Sequence, residues 1–248
     1  MKIIGSDYDG TLNHNGIDDK KRETIERWRA AGNVFAIVSG RGVEDIVKIY
    51  AEKKFGCDYF VSDSGAVIMT PDGTVISQVR CGGDVARSLI TKLFESGCRA
   101  AFVHTEFPCA VYAFEQDDME EGGILFENMP EIPWFTQIST FLPDYESAER
   151  VTATVRELFG DKVNPMQNGT CIDIVRSDMN KARGLYIFAE HLGAEYDDII
   201  AVGDNVNDRD MIAEFRSYAM ENGVDSIKAL ADFVISDVTE LIEKEIDT

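Results

Sequence analysis

The sequence predicts an α/β protein in which a parallel sheet with helices on both faces is interrupted by an inserted α+β domain. Three observations carry this. Short apolar runs alternate with helical segments over the first 80 residues and again from Asn180 onward, the rhythm of βαβ units. Between them, helices are followed by adjacent strand-like runs, a pattern suited to an antiparallel sheet. A chain of 248 residues with 44% hydrophobic residues and 14 Phe is long enough for one large or two modest cores, and too aromatic for disorder.

The elements follow in order. Lys2–Ser6 reads as a strand, and Asp19–Ala31 as a helix closed by Gly32. Residues 33–38 are a continuous apolar run of the kind buried in a parallel sheet. Val43–Lys54 is helical and Asp58–Ser62 a strand, after which residues 65–79 form a hairpin turning at Pro71-Asp72-Gly73. After Cys81-Gly82-Gly83 come a helix (Asp84–Glu95) and strands at Arg99–His104, Cys109–Glu115 and Phe135–Leu142. A second helix (Tyr145–Phe159) precedes strands Lys162–Gln167 and Thr170–Arg176, joined by the hairpin signal Asn168-Gly169. Residues 116–133, acidic and carrying Gly122-Gly123, read as a surface loop. The βαβ rhythm resumes with a helix at Lys181–Leu192, a strand at Asp198–Val202 and a helix at Asp208–Phe215. Strands at 217–220 and 233–235 and a helix at 239–246 complete it.

Charge excludes whole classes of partner. The 24 Lys and Arg against 45 Asp and Glu leave a net charge of −21, which repels nucleic-acid backbones and anionic membranes alike. No apolar run approaches the ~20 residues that span a bilayer, and Asp7 interrupts any N-terminal signal region. Five scattered cysteines without a C-x-x-C pair read as reduced thiols. Together these place the chain in the cytoplasm.

Chemistry concentrates at the ends of the predicted strands. Asp7-Tyr8-Asp9-Gly10-Thr11-Leu12 follows the first strand, where ligands bind in open parallel sheets. Two Asp at i and i+2 either converge on one hard cation or mark a polar turn. Ser39-Gly40-Arg41 follows the buried run and combines a hydroxyl with exposed backbone N–H groups ahead of a helix, an arrangement fit for an anion or simply for helix entry. Gly40-Arg41-Gly42 is no dinucleotide fingerprint, because Asp45 stands at the third glycine position. Gly203-Asp204-Asn205-Val206-Asn207-Asp208 again follows an apolar strand, and neither acidic stretch satisfies a calcium loop. Lys181 lies in a first helical turn, where a cation opposes the helix dipole and a functional reason is favoured.

In chain order, Asp7-x-Asp9-Gly-Thr-Leu, Ser39, Lys181 and Gly203-Asp204-x-x-Asn207-Asp208 resemble the four motifs of the haloacid dehalogenase (HAD) superfamily, and the long insertion between the second and third is similar to the type B cap of its Cof-like class IIB subgroup. Tyr8 stands where the family usually has an aliphatic residue, and Ser39 where the subgroup often has Thr. The resemblance implies a Rossmann-like HAD core from residues 1–81 and 179–248 and an α+β cap (type C2B) from 82–178 that sets substrate specificity and closes through hinges near residues 81–83 and 177–178. It implies that Asp7 is the nucleophile and Asp9 the general acid and base, with Ser39 and Lys181 binding the transferring phosphoryl group and Gly40 and Asn207 assisting at the substrate. It also implies Mg²⁺ held by Asp7, the Asp9 carbonyl, Asp204 and, less directly, Asp208. The activity implied is a Mg²⁺-dependent phosphatase of small phosphorylated metabolites, sugar phosphates foremost, working as a monomer or homodimer. A sugar phosphomutase and a non-catalytic ligand-binding protein are the alternatives. His104, Glu106, Arg176 and the 116–133 loop are candidate cap contacts to substrate.

Overall fold

A computed structural model describes residues 1–105, 109–119 and 122–246. The chain divides into two compact units, one built from residues 1–77 and 180–248 and one from 78–179.

The first unit begins with strand β1 (Ile3–Ser6), helix α1 (Asp19–Ala30), β2 (Val34–Val38), α2 (Val43–Lys53), β3 (Tyr59–Ser62), β4 (Val67–Met69) and β5 (Val75–Gln78). The second contains β6 (Cys81–Gly82), α3 (Ala86–Glu95), β7 (Ala100–His104), β8 (Ala110–Ala113), β9 (Ile124–Leu125), β10 (Trp134–Phe135), β11 (Gln137–Phe141), α4 (Tyr145–Phe159), β12 (Val163–Asn168) and β13 (Cys171–Arg176). The chain then returns to the first unit with α5 (Lys181–Leu192), β14 (Ile199–Gly203), α6 (Arg209–Glu214), β15 (Arg216–Met220), α7 (Asp225–Lys228), β16 (Phe233–Ile235) and α8 (Val238–Glu245).

In the first unit the strands form one sheet in the order β16-β15-β14-β1-β2-β3-β4-β5. It is parallel from β16 to β3, and β4 runs antiparallel to β3. Because side chains alternate along a strand, neighbouring residues serve two cores. Ile4, Phe35, Ile37 and Val202 pack with Ile25 and Trp28 of α1 and Leu241 of α8. Ile3, Ala36, Val38 and Ala201 pack with Leu185 and Phe188 of α5 and Met211 of α6. Both faces are covered, which is why these strands read as unbroken apolar runs. β1 lies between β14 and β2, so the strand order reverses at it, and the crevice beyond its carboxyl end is where such sheets bind ligands.

In the second unit a six-stranded sheet, β12-β13-β11-β7-β8-β9, carries one apolar face on which α3 and α4 pack through Leu89, Leu93, Val151 and Val155. The Asn168-Gly169 hairpin is present, with Gly169 at φ +61°.

The structure differs from the sequence reading in the middle segment. The expected strand Phe135–Leu142 is split: Trp134 and Phe135 pair with β6, whereas Gln137–Phe141 pair with β7 and β13. The described part of 116–133 is not simply a surface loop. β9 adds parallel to β8, Met129 and Ile132 are buried, and Phe126 packs edge-on against Phe94. The acidic residues masked this apolar set, which anchors the segment to the core. The four-residue helix α7 was not expected from the sequence.

Candidate active site

The loop after β1 brings the first carboxylates to the crevice. The Asp7 amide donates to Val202 O at 2.9 Å, which fixes the chain just beyond the β1–β14 pair. Residues 8–12 then make an irregular turn that requires Gly10 at φ +80°. A Cβ there would lie 2.4 Å from Asp204 Oδ2, so the glycine also makes room for the second acidic loop.

Lys181 holds the centre together. Its Nζ donates to Asp7 Oδ1 at 2.7 Å and to Asp208 Oδ1 at 2.5 Å, all three side chains being buried. The Asn180 side chain caps α5 through the Arg183 amide and so sets where Lys181 starts the helix. The other oxygen of Asp208 accepts from the amides of Asp204 and Asn205, at 2.9 and 3.1 Å. Asp204 accepts from Thr11 Oγ1 at 2.8 Å. One oxygen each of Asp7, Asp204 and Asp208 lie within 4.8 Å of one another.

Three carboxylates against one ammonium leave the cluster short of positive charge. The Asp7 carboxyl is accordingly held well above the usual carboxylate range: burial is the largest cause, the Asp208 charge adds to it, and Lys181 offsets only part. Burial also raises Asp204, against the hydrogen bond from Thr11. Burial works against the Lys181 ammonium too, yet Asp208 and Asp7 outweigh it and hold the group charged. Converging anionic oxygens with unbalanced charge are the donor set that a hard divalent cation such as Mg²⁺ takes, so these residues fit one.

The remaining predicted residues surround this centre differently. Ser39 is buried at the end of β2, its Oγ accepting from the Arg41 amide at 3.1 Å, and Gly40 is half-buried between them. Asp9 is turned away from the cluster. Its carboxylate takes two bonds from the Arg41 guanidinium, at 2.6 Å from Nε and 2.9 Å from Nη2. Asn207 Oδ1 is buried without a hydrogen-bond partner. In the second unit, His104 ends β7 with its carbonyl accepting from Thr136, and Arg176 makes a bidentate pair with Asp178. Glu106 lies outside the described residues.

Residues that sequence reasoning did not assign complete the picture. Arg41 binds Asp9 through its guanidinium and accepts the Asp63 amide through its carbonyl, while Asn222 Nδ2 donates to Gly10 O at 2.9 Å. Arg41 could have been suspected from its place beside Ser39 at a strand end; Asn222 carries no local signal.

The chain is similar to several known proteins. An HMP-PP phosphatase from Escherichia fergusonii is 24% identical over 242 residues, covering 92% of this chain and 87% of that protein. Among solved structures, a haloacid dehalogenase-like hydrolase from B. subtilis superposes with a TM-score of 0.82 at 17% identity, over 99% of this chain and 100% of that one. A HAD subclass IIB sugar phosphatase gives 0.80 at 17%, over 98% of each chain. The fold is thus that of the HAD hydrolases. The family described as haloacid dehalogenase-like hydrolase matches residues 4–241, nearly the whole sequence, and the chain belongs to it.

Proposed function

We propose that this chain is a Mg²⁺-dependent phosphatase of small phosphorylated metabolites, sugar phosphates foremost, acting through an aspartyl-phosphate on Asp7. The observation that carries the reading is the buried Lys181 ammonium bridging Asp7 and Asp208, with Asp204 beside them. A buried carboxylate held by a fixed cation at a strand end is a nucleophile kept oriented. Asp7, Asp204 and Asp208, with the Asp9 carbonyl, would hold Mg²⁺, which when bound supplies positive charge to the phosphoryl oxygens.

In the first step an Asp7 oxygen forms a bond to phosphorus as the bond to the leaving oxygen breaks, and Asp9 gives that oxygen a proton. In the second, water attacks phosphorus, Asp9 takes its proton, and the Asp7 carboxylate departs from inorganic phosphate. Asp9 must leave Arg41 to serve as the acid, and the pair is half-exposed, so little holds it closed. Lys181, Ser39, Gly40 and Asn207 lie in the motif positions suited to the phosphoryl oxygens. The orphaned Asn207 Oδ1 is an acceptor and calls for a donor or a cation, so any bond to a phosphoryl oxygen would come from its Nδ2. Specificity would come from the 82–178 insertion, closing at its two connections.

The test is phosphate release from p-nitrophenyl phosphate by wild type and Asp7→Asn, with Mg²⁺ and with EDTA, followed by a panel of sugar phosphates and HMP-PP. Expected are turnover that EDTA abolishes and a loss of at least about 10³-fold in Asp7→Asn. Asp7→Asn with wild-type turnover would refute the aspartyl-phosphate route.

A further inference from the structure

A second buried lysine sits outside the acidic cluster. Lys21 is 4% exposed and, like Lys181, lies in the first turn of its helix, where the dipole disfavours a cation. Its Nζ meets three backbone carbonyls, Leu12 O at 3.1 Å, His14 O at 2.6 Å and Gly16 O at 2.9 Å, and the Asp237 carboxylate at 3.0 Å. The carbonyls belong to alternate residues. They reach one point because Asn15 and Gly16 both adopt left-handed backbone, at φ +57° and +84°. Asn15 bears that conformation without being glycine.

Four oxygens aimed at one centre, three of them carbonyls, replace the hydration shell of a monovalent cation as the carbonyl rings of ion-selective sites do. We propose that Lys21 is a positioning residue whose ammonium serves as a tethered monovalent cation, holding the end of the loop that carries Asp7 and Asp9. The link to that loop is short. Leu12 O binds Nζ, while the Leu12 amide donates to Asp7 O and the Asn13 amide to Tyr8 O. Asp237, on the other side, accepts from the Thr239 amide as the cap of α8, so one ammonium ties the loop to two helices. A guanidinium would not substitute, since its planar fork cannot meet three oxygens converging on a point. The catalytic consequence rests on the phosphatase reading; the cation site does not.

Lys21→Ala opens the site, and Lys21→Met fills it with an apolar chain. Turnover of p-nitrophenyl phosphate with Mg²⁺ and Tm would be measured for both in NH₄Cl, KCl and tetramethylammonium chloride at equal ionic strength. Expected for Lys21→Ala in tetramethylammonium is a kcat lower by up to about 10²-fold, with kcat and Tm both rising in NH₄⁺ or K⁺. Lys21→Met stays low in every salt, and Lys21→Arg does not restore kcat. Asp237→Asn, which leaves the three carbonyls, keeps most of the activity.

A packing role predicts the opposite order, Lys21→Met above Lys21→Ala in all salts, and that result would overturn the proposal. So would wild-type kcat in Lys21→Ala, or a Lys21→Ala whose kcat and Tm answer to none of the cations. If Lys21→Ala folds only when NH₄⁺ or K⁺ is added, the proposal is supported; if it folds in no salt, it fails. A wild type without turnover would refute the phosphatase reading and leave the Tm comparison to decide the cation site.

Discussion

Asp7 couples the site to both pH and metal. Its folded pKa lies above the unfolded value of about 3.9, so the folded state binds that proton more tightly. The resulting stability is full at low pH and declines as pH rises through the folded pKa. The divalent cation proposed for Asp7, Asp204 and Asp208 would compete with the proton and stabilise the ionised form. Mg²⁺ should therefore raise Tm more at pH 7.5 than at pH 5, with EDTA reversing the gain; an equal rise at both would show that Asp7 carries no such proton. The Arg41 guanidinium makes its two hydrogen bonds to Asp9. Because the pair is half-exposed, Arg41→Ala should move stability by no more than about 1 kcal/mol. Since Asp9 must leave Arg41 to protonate the leaving oxygen, the substitution should slow alkyl phosphates, which need that proton, no more than p-nitrophenyl phosphate, which does not. Parallel kcat values on the two substrates check this, and a larger loss on the alkyl phosphates would show that Arg41 positions the acid.

At the scale of elements, α5 delivers Lys181 only because it approaches the loop after β3 closely. Gly65 has φ +103°, and a Cβ on it would lie 2.2 Å from Asn180 O, the residue that caps α5. Gly65→Ala should push the start of α5 outward, lower stability by about 2 kcal/mol or more, and reduce kcat with it. A Gly65→Ala enzyme with unchanged Tm and kcat would mean that the loop can give. Much of this was legible beforehand. Asp7 and Asp204 each follow an apolar strand and Lys181 opens a helix of clear periodicity; the resemblance to the HAD motifs implied that they share a site, and they meet, with Asp208. The Asp9–Arg41 pair was not legible, because a side-chain direction 32 residues distant in sequence has no local signal. Nor was β9, two residues long in an acidic context, or α7, too short for a helical period.

At the scale of the whole molecule, the last helix is tied to β15 and to the residue before the first strand. Glu245 of α8, buried, receives Arg216 at 2.7 Å and the Tyr218 hydroxyl, and lies 3.5 Å from Lys2 Nζ. Burial would raise its pKa, but the hydrogen bonds from Tyr218 and Arg216, with their charges, hold it below the ordinary glutamate value. Its contribution to stability is therefore present above the unfolded pKa of about 4.3 and is lost as pH falls through the folded one. Glu245→Gln should lower Tm at pH 7 and flatten the acid limb of the stability profile. An unchanged slope below pH 4.5 in acid titrations followed by circular dichroism would place that limb elsewhere.

The discontinuity of the first unit has a consequence for how the protein comes into being. Asp7 leaves the ribosome before residues 78–179, whereas Lys181, Asp204 and Asp208 emerge only after all of them. Strand β1 waits for β14 with one edge unpaired while all of residues 78–179 is made, whereas the inserted unit is contiguous in sequence. A nascent chain thus carries the whole insertion before it carries a site, and any truncation upstream of α5 leaves the carboxylate at residue 7 without Lys181.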